Sequence, residues 1–431
     1  MDVWAFVKDV AKGAGRLATA WRRWGQQDRA EIEHTYRNEL ACLKEDLEDA
    51  ATGDEKARIK QEIKAVRHEQ RLFYRARRDL LLSKALVERM TPKGGISAGA
   101  PELSASKREV LRIAMTVLEQ LEAGESFADR FLRGNAFYAA QDFENALREY
   151  GAALALRPDH PDTLNNRGVT LDELKRYEEA LTDYNRSLQL RPDDAATLNN
   201  RGLTLAHLKQ YEEALADFNR SLELRPDHPE TLSNRAITLH DLQRYEEALA
   251  DFNRALSLAP DHPTILQNRG ATLRCLQHSE EALADYNRSL ELRPDHADTL
   301  NNRGVALDEL QRYEEALADY NRALSLAPDH PAILANRGAT LRELNRYEQA
   351  LADFNRALEL EPHQPTALYN RACYLSLTQR YEEALPDLRQ AIACDAKYQR
   401  MAREDEDFEG LRNDPQWGPK FWELVGTEDQ A

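Results

Sequence analysis

Cysteine is scarce in this 431-residue chain, and Cys42, Cys275, Cys373 and Cys394 form no CxxC pair and no short disulfide framework. That usage suits reduced thiols. No apolar run approaches the ~18 residues needed to cross a bilayer, and Lys8, Asp9 and Lys12 interrupt every candidate signal-peptide core near the start. The expected location is cytoplasmic, with peripheral membrane contact as an option through residues 1–24. No HExxH, phosphate-cradling glycine loop or nucleophile–base constellation occurs, so the sequence points to no enzyme, no cofactor and no metal. Basic charge is also in deficit where it would matter for nucleic acid. Residues 1–126 carry 23 Lys+Arg and 21 Asp+Glu, a net +2, whereas residues 127–431 carry 35 and 54, a net −19. A phosphate backbone is held mainly by cations, so the acidic part is no nucleic-acid platform, and neutral to basic protein partners suit it better.

Glycine and proline are few, 18 and 17 residues, but their placement is periodic. Gly134, Gly168, Gly202, Ala236, Gly270, Gly304, Gly338 and Ala372 are 34 residues apart. With that small residue as position 8 of a unit, position 20 is alanine in all eight copies, from Ala146 to Ala384. Position 24 is aromatic from Tyr150 to Phe354 and then becomes Leu388, and position 32 is proline from Pro158 to Pro362. Positions 4, 8, 11 and 14 (Leu164, Gly168, Leu171, Leu174) make one apolar helical stripe, and positions 17, 20, 24, 27 and 28 (Tyr177, Ala180, Tyr184, Ser187, Leu188) make a second. Small residues at 8 and 20 let two antiparallel helices approach closely, the aromatic at 24 fills the space beside them, and the proline stops the second helix.

A gapless 34-residue period with these residues resembles a tetratricopeptide repeat array. The resemblance covers 127–398 and implies an all-α fold, a right-handed α-solenoid superhelix whose first helices line a concave groove for a peptide or protein. Residues 215–262 and 283–330 match almost throughout at a 68-residue offset, which suggests duplication of a repeat pair. Departures mark particular units. Arg130 replaces leucine at position 4, Ser279 replaces the position-17 aromatic, and Pro386 falls inside the last second helix.

Seven units carry asparagine at position 6: Asn166, Asn200, Asn234, Asn268, Asn302, Asn336 and Asn370. That position lies about 200° round the helix from the buried position 4, which assigns it to the groove. A carboxamide can both donate to and accept from a peptide unit. The series is similar to the asparagine ladder in the repeat domain of O-linked N-acetylglucosamine transferases, which implies a grip on the backbone of an extended peptide. The alternative is hydrogen bonding to a neighbouring repeat. Arginine at position 7 (Arg133, Arg167, Arg201, Arg235, Arg269, Arg303, Arg337, Arg371) lies only about 60° from position 4 and needs an anion if half-buried. Position 23 supplies one in every unit: Glu149, Asp183, Asp217, Asp251, Asp285, Asp319, Asp353 and Asp387. The expected role is an ion pair between the two helices of one hairpin.

Groove positions that vary are the candidates for specificity, and Asp172, His240, Arg274, Asp308 and Arg342 at position 12 were chosen with the asparagines as peptide-binding residues. Position 5 has no lysine and position 9 no asparagine in units two to eight, so the carboxylate clamp of chaperone-binding members is not expected. The position-34 histidines (His160, His228, His262, His296, His330) stand one repeat apart, roughly 10 Å, too far to share an ion and better read as linker residues.

The ends read differently. Residues 1–25 form an amphipathic helix with Val3, Val7, Val10, Leu17, Trp21 and Trp24 on one stripe and basic residues elsewhere, suited to a membrane surface or to docking on protein. Residues 26–90 read as a charged hairpin or coiled coil suited to self-association, 91–103 as a linker and 104–126 as a capping helix. Residues 399–431 resemble the closing cap of bacterial arrays, with Phe408, Leu411, Trp417, Phe421 and Trp422 covering the last repeat. The combined expectation is a non-enzymatic scaffold or adaptor. The alternative is a sensor or effector subunit whose N-terminal helices engage a membrane or partner when ligand is captured.

Overall fold

The computed structural model describes residues 126–426, together with Lys56, Ala57, Lys60, Gln61 and Lys64 on a helical stretch. The readings of residues 1–25, 26–90, 91–103 and 104–126 lie outside the described residues, those five positions aside. The fold is all-α and divides into two compact units, Met1–Pro226 and Asp227–Ala431. The first unit holds three hairpins: α1 (Phe127–Ala139) with α2 (Phe143–Leu156), α3 (Pro161–Glu173) with α4 (Tyr177–Leu190), and α5 (Ala195–His207) with α6 (Tyr211–Leu224). The second holds five: α7 (Pro229–Asp241) with α8 (Tyr245–Leu258), α9 (Pro263–Cys275) with α10 (Ser279–Leu292), α11 (Ala297–Glu309) with α12 (Tyr313–Leu326), α13 (Pro331–Glu343) with α14 (Tyr347–Leu360), and α15 (Pro365–Leu377) with α16 (Tyr381–Cys394). Short helices α17 (Lys397–Glu404), α18 (Glu409–Asn413) and α19 (Gly418–Val425) follow. Each hairpin packs on the next within its unit, as in an α-solenoid.

The boundaries of each helix have local causes. First helices open on proline at four of the eight starts in the sequence His-Pro, and the histidine side chain caps the helix. Nδ1 of His160, His228, His262, His296 and His330 accepts from the backbone N–H three residues on, at 3.2–3.4 Å. Asp194 does the same for α5 and Gln364 for α15. These histidines are therefore helix caps, a role sharper than a linker. Two residues past the end of every first helix stands a residue in the left-handed region that is not glycine: Gln141, Lys175, Lys209, Gln243, Gln277, Gln311, Asn345 and Gln379, with φ of 57–64°. That conformation turns the chain into the second helix. Pro386 is accommodated inside α16, which runs on to Cys394.

Close approach at position 8 is literal. A Cβ placed on Gly304 would lie 2.7 Å from Tyr320 Cε1, and one on Gly168 would lie 2.6 Å from Tyr184 Cε1. Tyr150, Tyr184, Phe218, Phe252, Tyr286, Tyr320 and Phe354 have no exposed surface. In the second unit a continuous core runs from Leu273 to Val425, and Phe408, Leu411 and Phe421 bury completely against it while Trp417 and Trp422 pack at its edge.

The arginine at position 7 pairs with the acid at position 23 in all eight hairpins. Arg303 Nε and Nη2 donate to the two carboxylate oxygens of Asp319 at 2.6 Å each, and the same fork recurs from Arg167–Asp183 to Arg371–Asp387. In the first hairpin the longer Glu149 accepts from both Arg133 and Arg130, which explains how an arginine stands where other units have leucine. The guanidinium also reaches backwards. Nη1 of Arg201, Arg269, Arg303, Arg337 and Arg371 donates to the carboxamide of Asn185, Asn253, Asn287, Asn321 and Asn355 on the preceding second helix, at 2.7–2.9 Å. One side chain thus joins three helices. A further tie links Arg186, Arg220, Arg288 and Arg356 to Asp159, Asp193, Asp261 and Asp329 of the preceding repeat, but its members are half exposed and contribute little.

Two outcomes follow for stability. Asp319→Ala leaves Arg303 without its buried acceptor and should lower the urea midpoint by the equivalent of about 1.5–3 kcal/mol, more than the same change at the exposed Asp295. Gly304→Val drives a methyl group into the Tyr320 ring and should cost about 1–3 kcal/mol, measured by the same unfolding series.

Candidate functional site

The first helices carry the residues selected from sequence, and position 6 divides into classes. Asn166 and Asn200 are fully buried, and Asn370 nearly so, while Asn234, Asn268, Asn302 and Asn336 are half-buried. Asn166 Nδ2 donates to Asn135 Oδ1 at 2.9 Å, Asn200 Nδ2 to Asn165 Oδ1 at 3.0 Å and Asn336 Nδ2 to Asn301 Oδ1 at 3.0 Å. Asn370 turns back to the Thr366 carbonyl at 2.9 Å. A helical wheel represents one helix without its neighbours. Stacking brings the next first helix alongside, and the carboxamide becomes a bond between neighbours. The side chains of Asn268 and Asn302 make no hydrogen bond among the described residues, so these two adjacent rungs keep donor and acceptor available.

Position 12 is engaged inside the protein rather than displayed. Asp172 accepts from the Tyr184 hydroxyl at 2.7 Å and from Thr204 of the next repeat at 2.8 Å. Asp308 repeats this with Tyr320 at 2.7 Å and Thr340 at 2.8 Å, and His240 Nδ1 lies 3.0 Å from Thr272 Oγ1. At Asp172, His240 and Asp308, position 12 therefore bonds threonine at position 10 of the following first helix, a pairing legible only once helices are stacked. Burial pushes the carboxyls of Asp172 and Asp308 up to about 6, with the tyrosine and threonine hydroxyls pulling the other way. Burial likewise lowers the His240 imidazole.

Arg342 is held by Asp407 at 2.7 Å and Glu343 at 2.8 Å, so the closing segment occupies it. Beside it Cys373, Asp405 and Asp407 bring metal-ligand atom types within 4.8 Å of one another. Their groups are already committed: Arg342 donates to Asp407, and Tyr369 donates to Asp405 at 2.8 Å. Burial raises the Cys373 thiol well above its ordinary range, which keeps it protonated. Arg274 has Nη1 3.6 Å from Glu309 and a buried Nε with no acceptor among the described residues.

Stacked hairpins with a polar first-helix surface define a helical-repeat interaction scaffold. Residues 131–195 and 336–398 match one tetratricopeptide repeat family model, and residues 193–261, 229–295 and 295–362 match a second, so the matches run from 131 to 398. The chain belongs to the tetratricopeptide repeat family. Among solved structures it is similar to a tetratricopeptide repeat protein from Parabacteroides merdae ATCC 43184, at 22% identity and a TM-score of 0.46, over 55% of this chain and 94% of that one. It is also similar to YrrB, a TPR protein with an unusual peptide-binding site, at 22% identity and a TM-score of 0.37 over 44% and 97% of the two chains. PilW, a type IV pilus biogenesis factor, matches at 19% identity and a TM-score of 0.46 over 48% and 96%. A search of the curated proteins found no match. No helix among the described residues is long and apolar enough to cross a membrane.

The raised carboxyls give a signed pH dependence. The folded state binds the Asp308 proton more tightly than the unfolded chain, whose carboxyl titrates near 3.9, so this group's contribution to stability falls as pH rises from about 4 through about 6. Asp172→Asn with Asp308→Asn should therefore gain stability relative to wild type across that window and hold a constant advantage above it. Urea midpoints from pH 4 to 8 test this; a difference independent of pH would contradict the assignment.

Proposed function

We propose that the protein is a non-enzymatic adaptor that holds an extended, neutral to basic segment of a partner against the first helices of its repeats. The observation that carries this reading is the pair Asn268 and Asn302, whose half-buried carboxamides sit one repeat apart with donor and acceptor unspent. Each can bond a peptide unit without reading its side chain, and the net −19 of residues 127–431 favours cationic segments. Hydrogen bonds contribute ~0.5–1.5 kcal/mol each, so two rungs alone give weak binding, and further contacts must add to them for micromolar affinity. The position-12 side chains support this surface from within by bonding one first helix to the next.

The reading predicts that Asn268→Ala with Asn302→Ala weakens a bound segment at least tenfold by isothermal titration while the melting temperature is unchanged. Partner segments come from proteins that co-purify with the full chain and are identified by mass spectrometry. Unchanged affinity of a segment competed by other groove ligands would reject the grip.

A further inference from the structure

The fourth hairpin of the pattern beginning at Pro161 departs from its neighbours at one place. Position 17 is aromatic in seven of eight hairpins (Phe143, Tyr177, Tyr211, Tyr245, Tyr313, Tyr347, Tyr381), and each ring is half-buried. In the α9–α10 hairpin it is Ser279. In two hairpins the ring reaches residue 13 of the next repeat: Tyr177 packs on His207 with centroids 5.3 Å apart, and the Tyr245 hydroxyl lies beside Cys275. Ser279 meets the equivalent residue only through its short hydroxyl, which donates to Glu309 at 2.8 Å. Ser279 opens onto a cleft of about 680 Å³, wider than the missing ring, whose polar lining includes Arg274, His278, Ser279, Glu280, Glu281 and Glu309.

Two polar changes coincide with it. Elsewhere Asp172 and Asp308 accept from the position-24 tyrosine, but here position 12 is Arg274, whose partly exposed guanidinium turns Nη1 to within 3.6 Å of Glu309 at the cleft, while its buried Nε and the buried Tyr286 hydroxyl behind it have no acceptor among the described residues. Glu280, Glu281 and Glu309 outnumber Arg274 as charges in the lining, with His278 3.3 Å from Glu281, so the cleft disfavours a carboxylate or phosphate. A neutral aromatic group with an oxygen at its tip suits this pairing, since a phenol can accept from Arg274 Nη1 and donate to Glu309.

We infer that this cleft is a specificity pocket for a tyrosine side chain of the partner, whose ring takes the place of the aromatic that Ser279 lacks. It rests on the adaptor reading above and adds to the sequence-blind asparagine contacts a point where one side chain is read. Basic neighbours beside that tyrosine would face Glu280 and Glu281.

Saturation-transfer NMR on the full chain with N-acetyl-L-tyrosinamide as probe tests the pocket without a long backbone for the asparagines to hold. Ring-proton transfer is expected with wild type and with the Asn268→Ala, Asn302→Ala variant, and N-acetyl-L-leucinamide should give none. Ser279→Tyr fills the cleft internally and should abolish transfer while raising the melting temperature. Arg274→Gln, which leaves the cleft open, should weaken binding several-fold. Absence of transfer to wild type, or transfer undiminished in a folded Ser279→Tyr, overturns the pocket; transfer that survives while the asparagine variant still binds partner segments normally leaves the pocket standing and removes the grip.

Discussion

The guanidinium at position 7 is the constraint on which the hairpin stack depends. It is forked onto the acid of its own second helix and, in most repeats, also donates to an asparagine of the second helix before it, so hairpin closure and hairpin stacking are the same event at this side chain. An arginine beside the apolar stripe would be a liability if unpaired, because a charge withdrawn from water without a counter-charge is costly. Planar geometry with donors on two edges is what lets one residue serve three helices, and lysine could not substitute. The apolar core supplies most of the free energy of folding, but it is nearly the same in every unit and would tolerate sliding. The directional bonds fix the register.

Much of this was legible in the chain. The 34-residue period, the two helical stripes and the acid at position 23 opposite each arginine follow from spacing alone, and the ion pairs stand where those residues place them. What one helix cannot reveal is what its neighbour covers. Asn166 and Asn200 look like display positions on a helical wheel, yet they donate to Asn135 and Asn165 of the preceding hairpin. Asp172 and Asp308 look like variable groove residues, and their partners are threonines 32 residues on. A partial signal was available across repeats rather than within one: position 10 is threonine after each of these acids and after His240, though also after Tyr138 and Ala206, and it is not threonine after Arg274 or Arg342. The left-handed turn at position 15 was hidden for another reason. Glutamine, lysine and asparagine occupy it, and no glycine announces it.

On the proposed adaptor reading, function is carried by departures from the consensus more than by the consensus. Residues shared by all repeats build the stack, and a side chain already bonded to its neighbour has little left to offer a partner. The positions that remain are those where the bonding pattern lapses, at Asn268 and Asn302 and at Ser279 with Arg274. All of them fall in the second unit, between Asn268 and Asn302 along the chain.

The same bonds recur at successive junctions: arginine to preceding asparagine and arginine to preceding aspartate. Within a unit, the trailing edge of one hairpin is therefore complementary to the leading edge of several others besides its true successor. Length becomes a quantity that can change by whole hairpins without redesign of any surface, and the near-identity of residues 215–262 and 283–330 is the trace such growth would leave. The corollary concerns folding: nascent hairpins have several acceptable neighbours, so it is synthesis order along the chain, more than chemical recognition, that decides which hairpin stacks on which.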